Sequence, residues 1–382
     1  MSRPVVLVCA DYFRPGFKGG GPVTSLSNMA ATLAEEVDFH IVTRDRDLGD
    51  TKPYPGIEPR VFHSFEGAKV MYLREADATV GRFCKLLREL APQALYLNSM
   101  LSRRFSLRPL VAAKYISRNS SPMQVVIAPR GEFARGALSI KARRKSLYLK
   151  VMRNAGLWNG VRWQASSPFE ADDIRTQLRS GSDIVVAPDL AAPLPDLDAR
   201  APKKTGRANF AFLGRISPIK NLEHSIQALS GIKGKATLTV YGPIEDEPYW
   251  RRCEATAASL PDNVTFSHGG TLTPEEVAPT LSQTDALLLQ SLSENFAQVV
   301  IEAMGCGCPV VLSDRTPWRN LAATGAGWDL PLEDISRTTS VLQGLVDMDE
   351  QTHSTYRART RAYAANIIKD PEQRRKTLSL FT

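Results

Sequence analysis

The chain has 382 residues, 43% of them apolar and 23% charged, with a formal net charge of +8 at neutral pH. That length and apolar content suit two packed domains. No apolar run approaches the roughly 20 residues of a membrane-spanning helix.

The charge is uneven. Residues 1–185 hold 28 Lys and Arg against 17 Asp and Glu, and the remainder holds 20 against 23. Within residues 100–153, 13 basic residues stand against one acid, Glu132. A block of one sign points to an anionic partner, since an ordinary soluble surface mixes both signs. Five cysteines (Cys9, Cys84, Cys253, Cys306, Cys308) are odd in number and scattered. Cys306 and Cys308 have one residue between them and no neighbouring His, so small, buried, reduced side chains are expected rather than a zinc site.

In chain order, Arg3–Ala10 reads as a short strand without a secretory leader pattern, so a cytoplasmic place is expected. Asp11–Gly21 is a loop containing Gly19, Gly20 and Gly21, which let backbone approach a ligand closely. A helix from Pro22 to about Glu36 follows, opened by proline. This strand–loop–helix start is typical of a doubly wound domain, although it is neither a G-x-G-x-x-G fingerprint nor a P-loop. Strands are expected at 38–43, 69–73, 94–98 and 124–128, and helices at 79–90 and 105–117. The strand at 124–128 runs into Pro129-Arg130-Gly131-Glu132-Phe133.

Lys141–Arg153 sets Lys141, Arg143, Arg144, Lys145, Lys150 and Arg153 among Leu147, Tyr148, Leu149, Val151 and Met152. That is a basic amphipathic pattern suited to an anionic membrane surface, and also to a solvated helix with one core face. A strand at 163–167, a helix at 168–178 bearing Glu170 and a strand at 183–187 complete the first half. Pro188–Lys204 has four prolines and reads as a linker.

In the second half, Asn209–Leu213 reads as a buried strand, Gly214–Asn221 as a loop with the cations Arg215 and Lys220, and Leu222–Leu229 as a helix. Arg215 can grip a phosphate with its planar fork and Lys220 can act as a point charge. Strands at 237–241 and 264–266 and helices at 248–260 and 274–282 follow. Ser267–Thr271 includes His268, Gly270 and Thr271.

The apolar run Asp285–Gln290 then reads as a buried parallel strand. Asn295 with Gln298 reads as an N-cap box opening a helix. The loop Ser291–Phe296 therefore lies between a strand end and a helix start, where open α/β sheets bind ligands and where free N–H groups suit a phosphate. Glu294 in the loop and Glu302 in the helix frame it; carboxylates accept hydrogen bonds from vicinal hydroxyls. A strand at 310–313 and helices at 341–348 and 355–368 end the domain. Trp318 and Trp328 read as packing residues.

Together these segments resemble the large retaining group of GT-B glycosyltransferases, sequence family four ("glycosyl transferases group 1"). The family's Phe-x-Gly-Arg-x-x-x-x-Lys-Asn loop is matched by Phe212 to Asn221. Its two glutamates separated by seven residues are matched by Glu294 and Glu302, and its following Ala and Gly-x-Pro-Val by Ala303 and by Gly307-Cys308-Pro309-Val310. The match covers roughly residues 208–320; the first half is looser.

The resemblance implies an α/β fold of two Rossmann-like doubly wound domains facing across a cleft. The expected division is an acceptor-side domain at 1–187, a linker at 188–207 and a nucleotide-sugar domain at 208–365. A tail at 366–382 would pack back on the first domain. It implies that the Gly19–Gly21 loop faces the donor diphosphate. Where many relatives present a His this sequence has none nearby, so no catalytic His is carried over; at that strand end Arg130 is expected to hold a phosphate or the acceptor, and Glu132 to contact an acceptor hydroxyl.

The expected catalytic residues are Arg215 and Lys220, which neutralise the leaving diphosphate, and Glu294, which orients the donor sugar. Gly214, Gly270, Thr271, Asn295, Phe296, Ala297 and Glu302 complete the donor contacts, with Glu302 on the ribose. No Asp-x-Asp pair is placed to hold a metal, and no cofactor is expected beyond the nucleotide-sugar substrate.

The expected reaction passes a sugar from a UDP-linked donor to a hydroxyl of a growing glycan, with retention. A lipid-linked acceptor in cell-surface polysaccharide synthesis would bring residues 100–153 to the inner face of the plasma membrane. A sugar epimerase would want G-x-G-x-x-G and Tyr-x-x-x-Lys, and neither stands in place. A nucleic-acid binder is suggested only by the basic block, which lacks aromatic interleaving.

Overall fold

The computed structural model describes residues 3–117, 123–134, 138, 142–178, 181–197 and 200–381. Lys141 lies outside them. The chain divides into two compact units, Met1–Leu190 with Pro371–Thr382, and Ala191–Asp370.

The first unit is built on an eight-stranded sheet. In chain order it contains β1 (Val5–Cys9), α1 (Gly21–Thr32), β2 (Asp38–Arg44), β3 (Phe62–Phe65), β4 (Ala68–Leu73), α2 (Val80–Leu90), β5 (Ala94–Leu97), α3 (Arg108–Ile116), β6 (Gln124–Ile127), α4 (Ala142–Asn154), β7 (Val161–Ala165), α5 (Pro168–Gln177) and β8 (Asp183–Val186). The order across the sheet is β3-β4-β2-β1-β5-β6-β7-β8. Every pairing is parallel except β3 with β4. The central strands are continuous apolar runs because helices cover both faces. Successive residues point to opposite faces, so Leu7, Leu95, Ile127 and Trp163 enter one core and Val6, Val8, Tyr96 and Val126 the other.

Two local features differ from expectation. The edge strand β3 lies in a stretch whose polar, half-exposed residues hide its period. The helix expected from Phe105 begins as a wide π turn at Arg103–Leu107, with Ser102 Oγ accepting from Phe105 N at 3.0 Å, before α3 takes over. Pro109 stands in the first turn of α3, where its missing N–H costs no ladder bond.

The tail forms α13 (Pro371–Leu378), after which Phe381 packs edge-on against Phe39 and Tyr96 at ring separations of 5.7 and 6.0 Å.

The second unit contains β9 (Arg207–Leu213), α6 (Leu222–Ala228), β10 (Lys235–Tyr241), α7 (Glu247–Ala257), β11 (Val264–His268), α8 (Pro274–Ser282), β12 (Ala286–Leu289), α9 (Gln298–Gly305), β13 (Val310–Ser313), α10 (Leu321–Thr324), β14 (Gly327–Leu330), α11 (Ile335–Asp347) and α12 (Glu350–Ile368). Its six strands are parallel in the order β11-β10-β9-β12-β13-β14. The chain moves outward from β9 to β11 and then returns to β12, so the order reverses between β9 and β12. The C-terminal ends of strands at such a reversal are the place where open α/β sheets bind ligands. Among the described residues, no helix is long and apolar enough to cross a membrane.

Candidate active site

The site of the second unit starts from two loops that leave β9 and β12. After Leu213 the chain passes Gly214 and Arg215 and makes a single 3-10 turn at Pro218–Lys220. Asn221 then adopts a left-handed conformation, φ 51°, to enter α6. Asn and Gly are the residues that tolerate this. After Leu289 the second loop runs through Ser291 and Glu294 to Ala297, which has φ 60°.

The loops are bound to each other. Lys220 Nζ donates to Glu294 Oε1 at 2.6 Å, Leu292 N donates to Ile219 O at 2.8 Å and Asn221 Nδ2 donates to Gln290 O at 3.0 Å. Ser291 Oγ donates to the same Glu294 oxygen at 2.6 Å. The Glu294 side chain is only 7% exposed and that of Lys220 18%, so this ion pair is largely out of water, where charge-assisted bonds are strong.

The β12 loop is also fixed from below. Ser313 Oγ donates to Ser291 O at 2.5 Å, and Trp318 Nε1 donates to Phe296 O at 2.7 Å with its ring 5.4 Å from the Phe296 ring. Phe296 is buried against Trp318, which places its side chain in the core. Trp318, read from sequence as mere packing, is a positioning residue for this loop; no motif flags it.

The helix start differs from expectation. Helix α9 begins at Gln298, its N-cap is Ala297, and no side chain caps it. Asn295 is therefore not the cap, because the positive φ of Ala297 inserts a sharp turn between them; Asn295 Oδ1 is buried without a hydrogen-bond partner. An uncapped helix start retains the partial positive charge that suits an anion. Glu302 is half-buried in the second turn of α9. At the other end of the helix, Arg357 and Arg361 donate to the carbonyls of Cys306 and Gly305, satisfying terminal acceptors.

Arg215 points a different way from Lys220. Its guanidinium donates to Glu245 Oε1 at 2.7 Å, both side chains being well exposed. Glu245 follows β10 in a third loop held against the first: Ile216 N donates to Pro243 O at 2.9 Å and Glu245 N to Ile216 O at 3.1 Å. Gly242 makes this approach possible. Its φ is 138°, and a Cβ there would come within 2.0 Å of Gly214 O. Gly242 N donates to Gly270 O at 2.8 Å, and the His268 ring donates to Gly242 O at 3.0 Å. Gly270 and exposed Thr271 thus continue the same edge. Glu245 escaped the sequence reading, although it too follows a strand end and a glycine.

In the first unit, Gly20 has φ 68° and, like Gly21, has open space where a Cβ would stand, whereas Gly19 packs against Tyr12 and Val23. Arg130 is corrected by the structure. Its Nε donates to Asn98 Oδ1 at 2.8 Å, one terminal nitrogen to the Tyr96 hydroxyl at 2.9 Å, and the other to Asp189. Asp189 in turn accepts from Ser25 Oγ at 2.8 Å. With each of its three nitrogens hydrogen-bonded within the first unit and its side chain 8% exposed, Arg130 is part of the framework rather than an open phosphate grip. Glu132 is likewise turned inward, accepting from Ser99 Oγ at 2.7 Å, Met100 N at 2.6 Å and Leu101 N at 3.2 Å. Burial pushes its carboxyl up to about 7.

All five cysteines are buried and unbonded. Burial raises the Cys306 thiol to about 11 and that of Cys308 to about 12, so both stay protonated and unreactive at neutral pH.

Residues 195–328 match the family model "Glycosyl transferases group 1". A D-inositol 3-phosphate glycosyltransferase of Mycobacteroides abscessus is 35% identical over 137 residues, covering 32% of this chain and 30% of that protein. One from an Arthrobacter species is 26% identical over 186 residues, covering 44% and 42%. The alignments thus span less than half the length of these curated relatives. Among solved structures, sucrose-phosphate synthase of Thermosynechococcus elongatus superimposes with a TM-score of 0.69 at 18% identity, covering 99% of this chain and 100% of that one. HepE of Anabaena in complex with UDP-glucose does so with a TM-score of 0.69 at 15% identity, covering 99% of each. The likeness shows the fold, two parallel-sheet α/β domains of the GT-B type.

Proposed function

We propose that this chain, a GT-B protein whose second unit carries the glycosyl transferases group 1 match, transfers a hexose with retention from a UDP-linked donor to a hydroxyl of a growing glycan. The observation that carries the reading is the Lys220–Glu294 pair, which joins the two loops at the β9/β12 reversal and sets one cation and one carboxylate side by side.

In this reading the donor diphosphate lies over the start of α9. Negative charge grows on it as the glycosidic bond breaks. Lys220, Arg215 and the positive N-terminal end of the α9 dipole stabilise that charge, and preorganised groups of this kind commonly supply the largest catalytic effect. Glu294 accepts hydrogen bonds from the donor sugar's hydroxyls while keeping Lys220 in place, and Glu302 does the same for the ribose. Arg215 leaves Glu245 for the diphosphate: an exposed ion pair is worth less than about 1 kcal/mol, so the exchange is cheap. The retained stereochemistry, the UDP moiety, the independence from metal and a lipid-linked acceptor in cell-surface polysaccharide synthesis come from the family resemblance. The HepE structures, solved in complex with UDP and with UDP-glucose, support the donor class.

A thermal-shift panel of nucleotide sugars tests the reading. A donor at 100 times its Kd adds about 2.7 kcal/mol of apparent stability. A rise with a UDP-sugar, lost in Lys220→Ala, supports it; a flat response across uridine, guanosine and adenosine diphosphate sugars overturns it.

A further inference from the structure

The first unit has a strand reversal of its own. From β1 the chain moves outward to β2 and β4, then returns to β5 on the other side of β1. The C-terminal ends of these parallel strands are therefore a second place where a ligand can sit. Four of those ends meet in one cluster. Asp11 and Tyr12 follow β1, Arg44 ends β2, Glu75 follows β4, and Arg104 lies in the wide π turn after β5. Arg44 Nη2 donates to Asp11 Oδ1 at 2.9 Å and its Nη1 donates to Glu75 Oε1. Arg104 Nη2 stands 2.7 Å from Glu75 Oε2. The Arg44 guanidinium lies 5.2 Å from the centre of the Tyr12 ring, within cation–π range. Two groups are left over. Asp11 Oδ2 and the Tyr12 hydroxyl have no hydrogen-bond partner among the described residues, and both are open to solvent.

We propose that this cluster binds an uncharged polyol, with Asp11 Oδ2 accepting from one ring hydroxyl and the Tyr12 hydroxyl pairing with a neighbouring one. A carboxylate oxygen only accepts and a phenol both donates and accepts, which together suit a vicinal diol. The cluster is built against an anion. Each of the three Arg44 nitrogens donates to a carboxylate, so no guanidinium fork is free for a phosphate, and the open oxygen of Asp11 would repel one. The two carboxylates of Asp11 and Glu75 match the two guanidiniums of Arg44 and Arg104. Arg103, exposed in the same wide turn, has no ion pair among the described residues, so anionic sugars form one arm of the test. The inference rests on the glycosyl-transfer reading in taking this polyol as the acceptor. It places the acceptor away from Arg130 and Glu132, whose side chains are turned inward.

Saturation-transfer NMR on the full chain tests it. The probes are the methyl glycosides of glucose, galactose and mannose with free inositol, against glucuronate and glucose 6-phosphate. At least one uncharged probe should receive saturation, and the two anions should not. Tyr12→Phe keeps the ring beside Arg44 and removes only the hydroxyl, so it should weaken binding of that probe about fivefold at an unchanged melting temperature. Asp11→Asn keeps an oxygen for Arg44 and removes the charge, so it should weaken binding about tenfold or more, since charge-assisted hydrogen bonds are the stronger kind. A cluster that only holds the fold together would lower the melting temperature of Asp11→Asn and leave probe binding unchanged in Tyr12→Phe, which overturns the proposal. So does silence from every uncharged probe, or saturation of the anions in preference to them. Lys220→Ala should bind the uncharged probe as the unsubstituted chain does, and the nucleotide-sugar thermal shift should persist in Tyr12→Phe. A polyol bound by a chain that no nucleotide sugar stabilises would therefore sink the donor reading and leave this site standing.

Discussion

Lys220 Nζ stands 2.6 Å from Glu294 Oε1, and the two side chains come from loops that follow different strands of one sheet. The pair is mutual support: Glu294 orients the ammonium, and the ammonium offsets a carboxylate that is nearly buried. Lys220→Ala should therefore lower kcat about 100- to 1000-fold, the range for loss of one preorganised group facing developing charge. Glu294→Gln keeps the size of the side chain and should be less damaging to folding than to turnover. Because the residues touch, the double variant should cost less than the sum of the singles. Steady-state rates of donor hydrolysis and of transfer decide this; near wild-type rates in Lys220→Ala would end the assignment.

Trp318 sits under the same loop. Trp318→Phe keeps an aromatic ring against Phe296 but removes the indole N–H that serves the Phe296 carbonyl. A hydrogen bond of that kind contributes about 1 kcal/mol, more if the carbonyl is left dry. The expected result is a modest loss of stability in urea with a raised KM for donor and a smaller change in kcat, as the loop loses its fixed position without losing Glu294. An unchanged KM would reduce Trp318 to core packing.

How much of the molecule is legible in its sequence depends on distance along the chain. The strand–loop–helix units around Gly214–Asn221 and Ser291–Gly305 are local, written in apolar runs and in the cations and acids between them, and the fold follows from their repetition. The Arg130–Asp189 and Arg215–Glu245 pairs join residues far apart in sequence, so each member reads as an isolated surface charge until the sheet brings it to its partner. The false Asn295 cap has a different cause: Ala297 adopts a conformation that alanine rarely takes, and no residue preference signals it.

The Arg130–Asp189 ion pair is the deepest among the described residues of the first unit, with side-chain exposures of 8% and 5%. Arg130→Met strands Asp189 without its counter-charge and should cost about 3–5 kcal/mol, whereas Arg130→Met/Asp189→Leu should recover most of that loss. Denaturant unfolding of the full chain followed by tryptophan fluorescence checks both. A double variant as unstable as the worse single one would show that the neighbours Tyr96, Asn98 and Ser25 need the charges themselves.

Glu132 ties stability to pH. Burial raises its carboxyl from 4.5 to about 7, against the hydrogen bonds from Ser99, Met100 and Leu101, which favour the ionised form; Asp11 adds a further upward push. The Tyr148 phenol, also raised by burial, stays neutral throughout. Between the ordinary carboxyl value and about 7 the folded chain keeps the Glu132 proton and the unfolded chain has lost it. The group's contribution is therefore fully present below the ordinary value and is lost as pH rises through about 7, up to about 3 kcal/mol in all. Glu132→Gln keeps an oxygen acceptor for the Met100 and Leu101 amides and cannot ionise. Other buried groups titrate equally in both proteins, so the stability of the unsubstituted chain relative to Glu132→Gln should decline between 4.5 and about 7. Parallel stability–pH curves for the two proteins would show that Glu132 ionises in the folded state at an ordinary value.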